Sequence, residues 1–214
     1  MRRDLALPAM LLLALSSPVF AAASQDSKLC QRAVVAAEFG ARVPARLLEA
    51  ISKVESGRPD EAGRLKAWPW TINAEGEGHF YATKAQAIAA VREFQGRGVQ
   101  SIDVGCMQVN LFHHPRAFAS LDRAFDPYEN ARYAGQFLNE LYLQLRSWTQ
   151  ATAAYHSQTP ALAEPYQRRV MEQWQRPSAE PAGSSKFTAF ATAGAAYRSF
   201  VPAETAFAAF PKVR

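Results

Sequence analysis

The residue best suited to catalysis is Glu55, at the end of a short amphipathic helix predicted from Pro44 to about Ser56. Apolar residues recur in this helix at helical spacing and form one buried stripe: Leu47, Leu48, Ile51 and Val54. Glu55 follows Ile51 by four residues and therefore shares that stripe. Desolvation raises the pKa of a carboxyl group, and a raised pKa suits a general acid near neutral pH. The periodicity alone also allows a structural role, with Glu55 bonded to a buried arginine or to backbone.

Four short motifs follow one another between residues 47 and 174. They are Val54-Glu55-Ser56-Gly57, Gly105-Cys106-Met107-Gln108-Val109-Asn110, Ala154-Tyr155-His156-Ser157, and Tyr166 with Val170. In this order they resemble the Glu-Ser, Gly-Leu-Met-Gln-Ile-Asn and Ala-Tyr-Asn-Ala-Gly motifs and the last-helix tyrosine of the family 1, or SLT-domain, lytic transglycosylases. The resemblance implies a mainly α, lysozyme-like (α+β) fold: a helical domain with a small β-hairpin insertion beside the active-site cleft.

The resemblance also implies a reaction and a substrate. A lytic transglycosylase is a carbon-oxygen lyase that cleaves the β-1,4 bond between N-acetylmuramic acid (MurNAc) and N-acetylglucosamine (GlcNAc) in peptidoglycan. Glu55 would protonate the glycosidic oxygen and then deprotonate the muramoyl 6-hydroxyl, which closes to a 1,6-anhydro-MurNAc end. The residues that the resemblance places around the substrate are Ser56, Met107, Gln108, Asn110, Tyr155, His156 and Tyr166. Peptidoglycan strands are the implied partner in cell-wall remodelling, and no cofactor is implied.

One carboxylate suffices for this reaction because the substrate's own hydroxyl replaces the activated water or enzyme nucleophile that most glycosidases need. The chain between Glu55 and Gly105 nevertheless contains further acids: Glu75, Glu77 and Asp103. If one of them lies opposite Glu55, the enzyme would be a hydrolysing muramidase of the lysozyme type, which is the alternative function. A non-catalytic glycan-binding accessory protein is a further alternative, against which the intact Glu55 argues.

Two positions depart from the family motifs. His156 and its neighbour stand where the family has Asn-Ala-Gly, so an imidazole that titrates near neutral pH replaces a sugar-contacting amide. Cys106 replaces an apolar residue. The remaining histidines lack metal-ligand spacing, and the sequence predicts no metal site at His79, His113 or His114.

A Gly-rich turn flanked by aromatic and β-branched residues predicts a β-hairpin over residues 68–81. Because a long insertion beside an active site usually shapes its cleft, aromatic rings in this hairpin are candidates for stacking on sugar faces. These rings are Trp68, Trp70 and Tyr81, with Phe80 beside them. The alternative is that they form a small satellite core.

Local signals predict where several helices begin and end. Thr83 with Gln86 forms a capping box, and Asp126 followed by Pro127 is the best helix start in the chain. The helix that carries Glu55 is predicted to have Pro44 at its first position and a left-handed stop at the glycine after Ser56.

The last helix is predicted over residues 163–174. Pro165 is then expected in its first turn, because a proline deeper inside a helix removes a hydrogen bond and clashes with the preceding turn.

Residues 1–23 are predicted to be a signal peptide, because Arg2 and Arg3 precede an apolar run that ends at the alanines of positions 21–23. We therefore expect export to the periplasm, without a transmembrane anchor after cleavage, since a spanning helix needs about 20 apolar residues. Residues 24–175 are the predicted catalytic domain, and residues 176–214 a disordered tail rich in Ala, Pro and Phe. In an exported chain, the two cysteines Cys30 and Cys106 favour a disulfide.

The chain is mildly basic, with 24 Lys and Arg against 19 Asp and Glu, a formal net charge of +5. This balance suits an anionic polymer such as the cell wall, although ordinary surface charge explains it equally well. No long basic run interleaved with aromatic residues points to nucleic acid. A place in an envelope-spanning secretion or flagellar machine is compatible with the sequence, with the tail as the candidate docking segment.

Overall fold

The structure, a computed structural model, describes residues 18–60 and 62–176, with side chains from residue 25 onward. Most of the predicted signal peptide lies outside the described residues; only the backbone of residues 18–23 is described, as the start of a helix. The predicted tail also lies outside them, apart from Arg176. Within the described part, no helix is both long enough and apolar enough to cross a bilayer.

Helices dominate the described chain, and a small antiparallel β element accompanies them, which confirms the predicted fold class. The helices are α1 (Pro18–Ala41), α2 (Leu47–Ser56), α3 (Lys84–Gly96), α4 (Leu121–Ala124), α5 (Pro127–Leu145), α6 (Trp148–His156) and α7 (Pro160–Gln175). The strands are β1 (Gly57–Pro59), β2 (Leu65–Ala67), β3 (Thr71–Ala74), β4 (Glu77–Phe80), β5 (Ile102–Val104) and β6 (Val109–Asn110).

The main core lies between the helices and surrounds α2. Helix α1 packs along α5, and α2 packs against both α1 and α7. Fully buried side chains of this core include Val34, Leu47, Leu48, Ile51, Leu138 and Tyr166. The predicted apolar stripe of α2 therefore faces the core, and α2 is packed between α1 and α7.

The start of α2 is fixed by a residue of another helix. Pro44 lies three residues before the first turn, so its predicted place at the first helical position is wrong. Arg46 adopts a left-handed conformation at the cap and makes no side-chain cap bond. The carboxylate of Glu38, buried at the end of α1, accepts hydrogen bonds from the backbone N–H of Arg46 (3.0 Å) and of Glu49 (3.1 Å). Glu38 thus satisfies donors that a local cap would otherwise satisfy.

The four-stranded sheet has the order β4-β3-β5-β6, and β3 and β4 form the predicted hairpin. Ile72, Ile102 and Val104 point to one face and pack with residues of α3 in a second core. Since side chains alternate along a strand, the other face carries the row in which Asp103 pairs with Asn73 on one side and with Asn110 on the other. Asp103 on this face is close enough to Glu55, in the last turn of α2, for its charge to act on that carboxyl group.

Two of the predicted helix starts are confirmed. Thr83 Oγ1 accepts from the backbone N–H of Gln86, and Asp126 accepts from the two residues after Pro127. The last helix begins at Pro160 rather than at Ala163, so Pro165 lies in its second turn and its predicted place in the first turn is wrong.

Gly57 ends α2 for a different reason from the one predicted. Its φ of −67° and ψ of 126° are those of extended backbone, so it is not a left-handed stop. A Cβ at this position would lie 2.1 Å from the carbonyl oxygen of Lys53. Only glycine allows the chain to pass this close to the last turn as it leaves the helix for β1.

Cys30 of α1 and Cys106 are joined by a disulfide, as the sequence predicted. Both residues are fully buried. The bond ties α1 to the segment between β5 and β6, where the second motif begins.

Candidate active site

Glu55 lies in the last turn of α2, where the chain turns into β1. The residue is half-buried. Burial raises the pKa of Glu55 to about 8; the Tyr166 hydroxyl and Arg169 lower this pKa, and Asp103 raises it. Glu55 is therefore mostly protonated at neutral pH, which is the form that a general acid needs.

Tyr166 on α7 is the direct partner of Glu55. Its hydroxyl donates a 2.6 Å hydrogen bond to Oε1 of Glu55, and its side chain is only 1% exposed. Burial raises the pKa of Tyr166 well above the usual value, and the nearby Glu55 and Tyr155 raise it further. The phenol therefore stays protonated at neutral pH and remains a donor to Glu55.

His156 stacks on the ring of Tyr166, with ring centroids 4.5 Å apart and planes 9° from parallel. Burial of the imidazole and the nearby Arg169 lower the pKa of His156. The neutral ring is therefore favoured at neutral pH. Tyr166 covers one face of the imidazole, while the rest of the His156 side chain is accessible to solvent.

Tyr155, the other tyrosine of the motifs, supports the second motif. Its hydroxyl donates a 2.8 Å hydrogen bond to the backbone carbonyl of Met107. Tyr155 therefore links α6 to the turn between β5 and β6, and Met107 itself is fully buried in the main core. The expectation that the Met107 side chain lines an open cleft is wrong, because that side chain packs inward.

Ser56 also has a supporting role. Its side chain is fully buried, and its hydroxyl donates to the carbonyl of Cys106 (2.8 Å). The same oxygen accepts from the backbone N–H of Trp68 (3.3 Å). The predicted contact of Ser56 with substrate or with Glu55 is therefore absent; the residue instead joins the end of α2 to the second motif and to the hairpin.

Gln108 occupies a left-handed conformation, with φ of 46°. Its amide nitrogen donates to the carbonyl oxygens of Thr71 (3.1 Å) and Gly105 (2.9 Å). Two carbonyl partners fix which end of the amide is nitrogen. Its Oε1 has no hydrogen-bond partner among the described residues, so Gln108 can present an acceptor to a sugar hydroxyl or an N-acetyl N–H.

Asp103 and Asn110 face each other across β5 and β6. Asn110 Nδ2 donates to Asp103 (2.7 Å) and to the Ser101 hydroxyl (3.1 Å), and its oxygen accepts from the backbone N–H groups of Phe112 and His113. Asn110 is thus fully occupied within the protein. Burial raises the pKa of Asp103, and Asn110 partly offsets this.

Of the three further acids considered from the sequence, only Asp103 lies near Glu55. Its charge acts on the Glu55 carboxyl. Glu75 lies in the exposed turn of the hairpin, and Glu77 is the first residue after it.

The histidines His79, His113 and His114 do not converge, because His79 contacts α3, His113 lies beside Phe112, and His114 bonds to Tyr133. Among the described residues, no cluster of three His, Cys, Asp or Glu side chains is arranged to hold a metal ion.

The tryptophans of the insertion belong to the second core. Trp68 is 5% exposed and Trp70 8%, and their indole N–H groups donate to the carbonyl of Tyr81 (2.7 Å) and to Asp26 (3.0 Å). The expectation that Trp68 and Trp70 offer free faces to sugars is therefore wrong. Tyr81 is partly exposed, and the most accessible ring of the hairpin is Phe80, at 48%.

Asn130 is a supporting residue that the sequence reasoning missed. This fully buried side chain of α5 accepts from Met107 N (2.9 Å) and donates to the carbonyls of Val104 and Ala124 (both 3.0 Å). It also lies so close to Gly105 that a Cβ there would be 2.7 Å from its amide nitrogen. A signal existed, because Asn130 is a polar residue on the buried stripe of α5, as Glu55 is on that of α2.

These contacts make an acid centre with an asymmetric carboxyl group. Oε1 of Glu55 is held by Tyr166, whereas Oε2 has no partner among the described residues. The proton of the neutral acid therefore lies on Oε2, from which it can be given to a substrate oxygen.

Comparison with known protein families gives a match. The family model described as the transglycosylase SLT domain matches residues 33–170, which include α2, the second motif, α6 and the Tyr166 region of α7. No curated protein and no solved structure matches the chain. The chain therefore belongs to the transglycosylase SLT domain family, which indicates transglycosylase activity on peptidoglycan.

Proposed function

We propose that this protein cleaves the β-1,4 bond between MurNAc and GlcNAc and leaves 1,6-anhydro-MurNAc ends, with Glu55 as its single catalytic acid and base. The observation that carries the proposal is the protonated, half-buried Glu55 whose Oε1 is held by the Tyr166 hydroxyl. Because its pKa is about 8, Glu55 already carries its proton at neutral pH before substrate binds.

In the first step, Glu55 Oε2 gives its proton to the glycosidic oxygen, and the bond from that oxygen to the muramoyl C1 breaks. The electron pair stays with the departing GlcNAc oxygen, and positive charge develops on the muramoyl ring. The carboxylate that forms keeps the Tyr166 hydrogen bond, which favours the anion.

In the second step, the muramoyl 6-hydroxyl attacks C1, and its proton passes to the Glu55 carboxylate. The acid is thereby regenerated, and no water enters the product. A second enzyme carboxylate is not needed because the nucleophile belongs to the substrate. Gln108, through its unpartnered Oε1, and His156, through its exposed side chain, are the motif residues available to position the sugar.

The alternative of a hydrolysing muramidase rests on Asp103. Among the described acids it is the one whose charge acts on Glu55, and it lies on the polar face of the sheet. In that reaction Asp103 would activate water, and the product would carry a reducing MurNAc end.

The test is product analysis after digestion of purified sacculi. Released fragments are treated with borohydride, which reduces a free reducing end and leaves an anhydro end unchanged, and are then weighed by mass spectrometry. We expect anhydro products from the wild-type protein and a loss of about 100-fold or more in rate for Glu55→Gln. The matched control is Glu77→Gln, which removes an exposed acid of the hairpin.

Three other results would redirect the proposal. Reducible products would make the enzyme a hydrolase. Activity retained by Glu55→Gln would remove Glu55 from the chemistry. Binding to sacculi without release by the wild-type protein would favour the non-catalytic accessory function.

We also propose that the protein acts in the periplasm, where an oxidising environment supports the Cys30–Cys106 disulfide. Cell fractionation, together with N-terminal sequencing of the purified protein, tests this; a full-length reduced form in the cytoplasm would contradict it. Association with a secretion or flagellar machine stays a prediction, which pull-down with the full chain and with a chain ending at Arg176 would test.

A further inference from the structure

A cation beside the end of α2 is held by two aromatic rings. Arg58 lies in β1, three residues after Glu55, and is exposed. Its guanidinium carbon is 4.6 Å from the centre of the Trp68 ring and 5.5 Å from that of Phe80. Trp68 in turn is bonded through its backbone N–H to Ser56, so the group is anchored to the end of the catalytic helix.

Phe80 places this group on the side of the sheet that faces Glu55. It pairs with Thr71, which lies on the same face as Asn73 two residues later and therefore on the face of Asp103. Asp103 is the acid whose charge acts on Glu55. The exposed ring of Phe80, with the guanidinium 5.5 Å from its centre, therefore lies on the sheet face that carries Asp103.

Arg58 is held by two aromatic rings and by no ion pair among the described residues. Several exposed arginines form ion pairs, among them Arg64 with Asp60 and Arg97 with Glu93. Arg58 has no carboxylate partner among the described residues. Two aromatic rings hold its planar group in place, so little freedom is lost when it binds a ligand, and its N–H fork suits a carboxylate.

We propose that Arg58, held on Trp68 and Phe80, is a subsite for a carboxylate carried by the O-3 substituent of a muramoyl unit bound next to Glu55. This inference rests on the proposed function. According to this inference, the protein recognises an acidic substituent on the muramoyl unit as well as the sugar backbone.

Such a carboxylate has two sources in peptidoglycan. On a peptide-bearing strand it belongs to the stem peptide; on a stem-free strand it is the lactyl group itself. The recognised chemistry is the same in both.

The experiment compares rates of cleavage of soluble glycan strands in three forms: peptide-bearing, stem-free after amidase treatment, and peptide-bearing with the carboxylates converted to amides. For the wild-type protein we expect kcat/KM on the amidated strands to be about tenfold lower than on the acidic form whose carboxylate Arg58 binds, the size expected for one charge-assisted interaction. For Arg58→Gln we expect the ratio of the acidic to the amidated rate to fall to near one, and Arg58→Lys to restore part of it.

The matched control is Arg97→Gln, since Arg97 also lies over a ring, that of Phe94 at 4.8 Å, and sits at the far end of α3. It should keep the wild-type ratio. An Arg58 effect on peptide-bearing strands alone assigns the carboxylate to the stem, and an effect that persists on stem-free strands assigns it to the lactyl group.

The inference is overturned if the wild-type protein cleaves both acidic forms, peptide-bearing and stem-free, at the rate of the amidated strands, a result that does not depend on whether Arg58 variants fold. It is also overturned if Arg58→Gln loses the same factor on all three substrates. Failure of the proposed function gives a different result, because the wild-type protein would then release no anhydro product from any strand.

Discussion

The Tyr166 hydroxyl donates a 2.6 Å hydrogen bond to Oε1 of Glu55, joining two helices whose residues are 111 positions apart in the chain. This bond favours the carboxylate, whereas burial of the same carboxyl group favours the neutral acid, and burial prevails with a pKa of about 8. The bond therefore orients an acid that is still protonated, and it is ready to stabilise the anion once the proton has left.

The pH dependence of the wild-type rate follows from that pKa. Glu55 must be protonated in the free enzyme. Its titration should therefore leave kcat/KM constant below neutral pH and make kcat/KM fall about tenfold per pH unit above pH 8. Initial rates on soluble glycan strands from pH 5 to about 10 would measure this limb. A rate that instead rises through pH 8 would mean that Glu55 acts from its ionised form.

Tyr166→Phe should lower kcat and move the falling limb of the pH profile to higher pH. Loss of the hydrogen bond removes a contact that stabilises the carboxylate, so kcat should fall about 10- to 100-fold. The same loss raises the pKa of Glu55, so the falling limb should move to higher pH. A merely destabilising substitution would lower the rate without that shift. Tyr128→Phe, at an exposed tyrosine, is the control and should change neither quantity.

Asp103→Asn separates the two candidate reactions. In the transglycosylase, Asp103 raises the pKa of Glu55 by charge repulsion, so its neutralisation should move the limb of kcat/KM to lower pH while anhydro products continue to form. In a hydrolase, Asp103 would be the base, and the rate should fall about 100-fold or more at every pH. Rate profiles and product masses from the same digests give both answers.

Much of the site was predictable because it depends on local patterns. The spacing of Leu48, Ile51 and Glu55 places the acid on a buried stripe, and the Asp126 cap fixes the start of α5. The hairpin was predictable from its turn and its β-branched flanks. These are properties of residues close together in the sequence.

The rest depends on which partner covers each side chain. Period-two alternation does not reveal that α3 covers the face of the hairpin that contains Trp70, so its ring was expected at the cleft. Likewise, the second motif does not reveal that the Cys106 carbonyl accepts a hydrogen bond from the Ser56 hydroxyl. Nor does it reveal that the Asn130 side chain accepts one from the backbone N–H of Met107. Each of these bonds joins residues more than twenty positions apart, and their partners follow only from the packed helices.

The Cys30–Cys106 disulfide should stabilise the site region as well as the fold. The bond closes a loop with a sequence separation of 76, and removing a bond of this kind costs about 2–4 kcal/mol. Cys30→Ala combined with Cys106→Ala should therefore unfold at lower denaturant concentration. A reductant should lower the wild-type midpoint towards that of the double variant and leave the double variant unchanged. Equal midpoints for the two proteins without reductant would contradict a stabilising bond.

Gly57→Ala tests whether the exit from α2 sets the position of the acid. The added methyl group would lie 2.1 Å from the Lys53 carbonyl oxygen, a contact that backbone must move to relieve. We expect a loss of about 1–3 kcal/mol in the free energy of unfolding. Since Glu55 lies in the turn that must move, kcat should fall as well, by about 100-fold for a displacement near 1 Å.

Gly40→Ala is the control: nothing lies within 4 Å of its added Cβ, and alanine favours the helix, so stability should be equal or higher and the rate unchanged. Chemical denaturation and kcat measured on the same preparations give both quantities, and a Gly57→Ala protein as stable and active as Gly40→Ala would show that the last turn of α2 tolerates displacement.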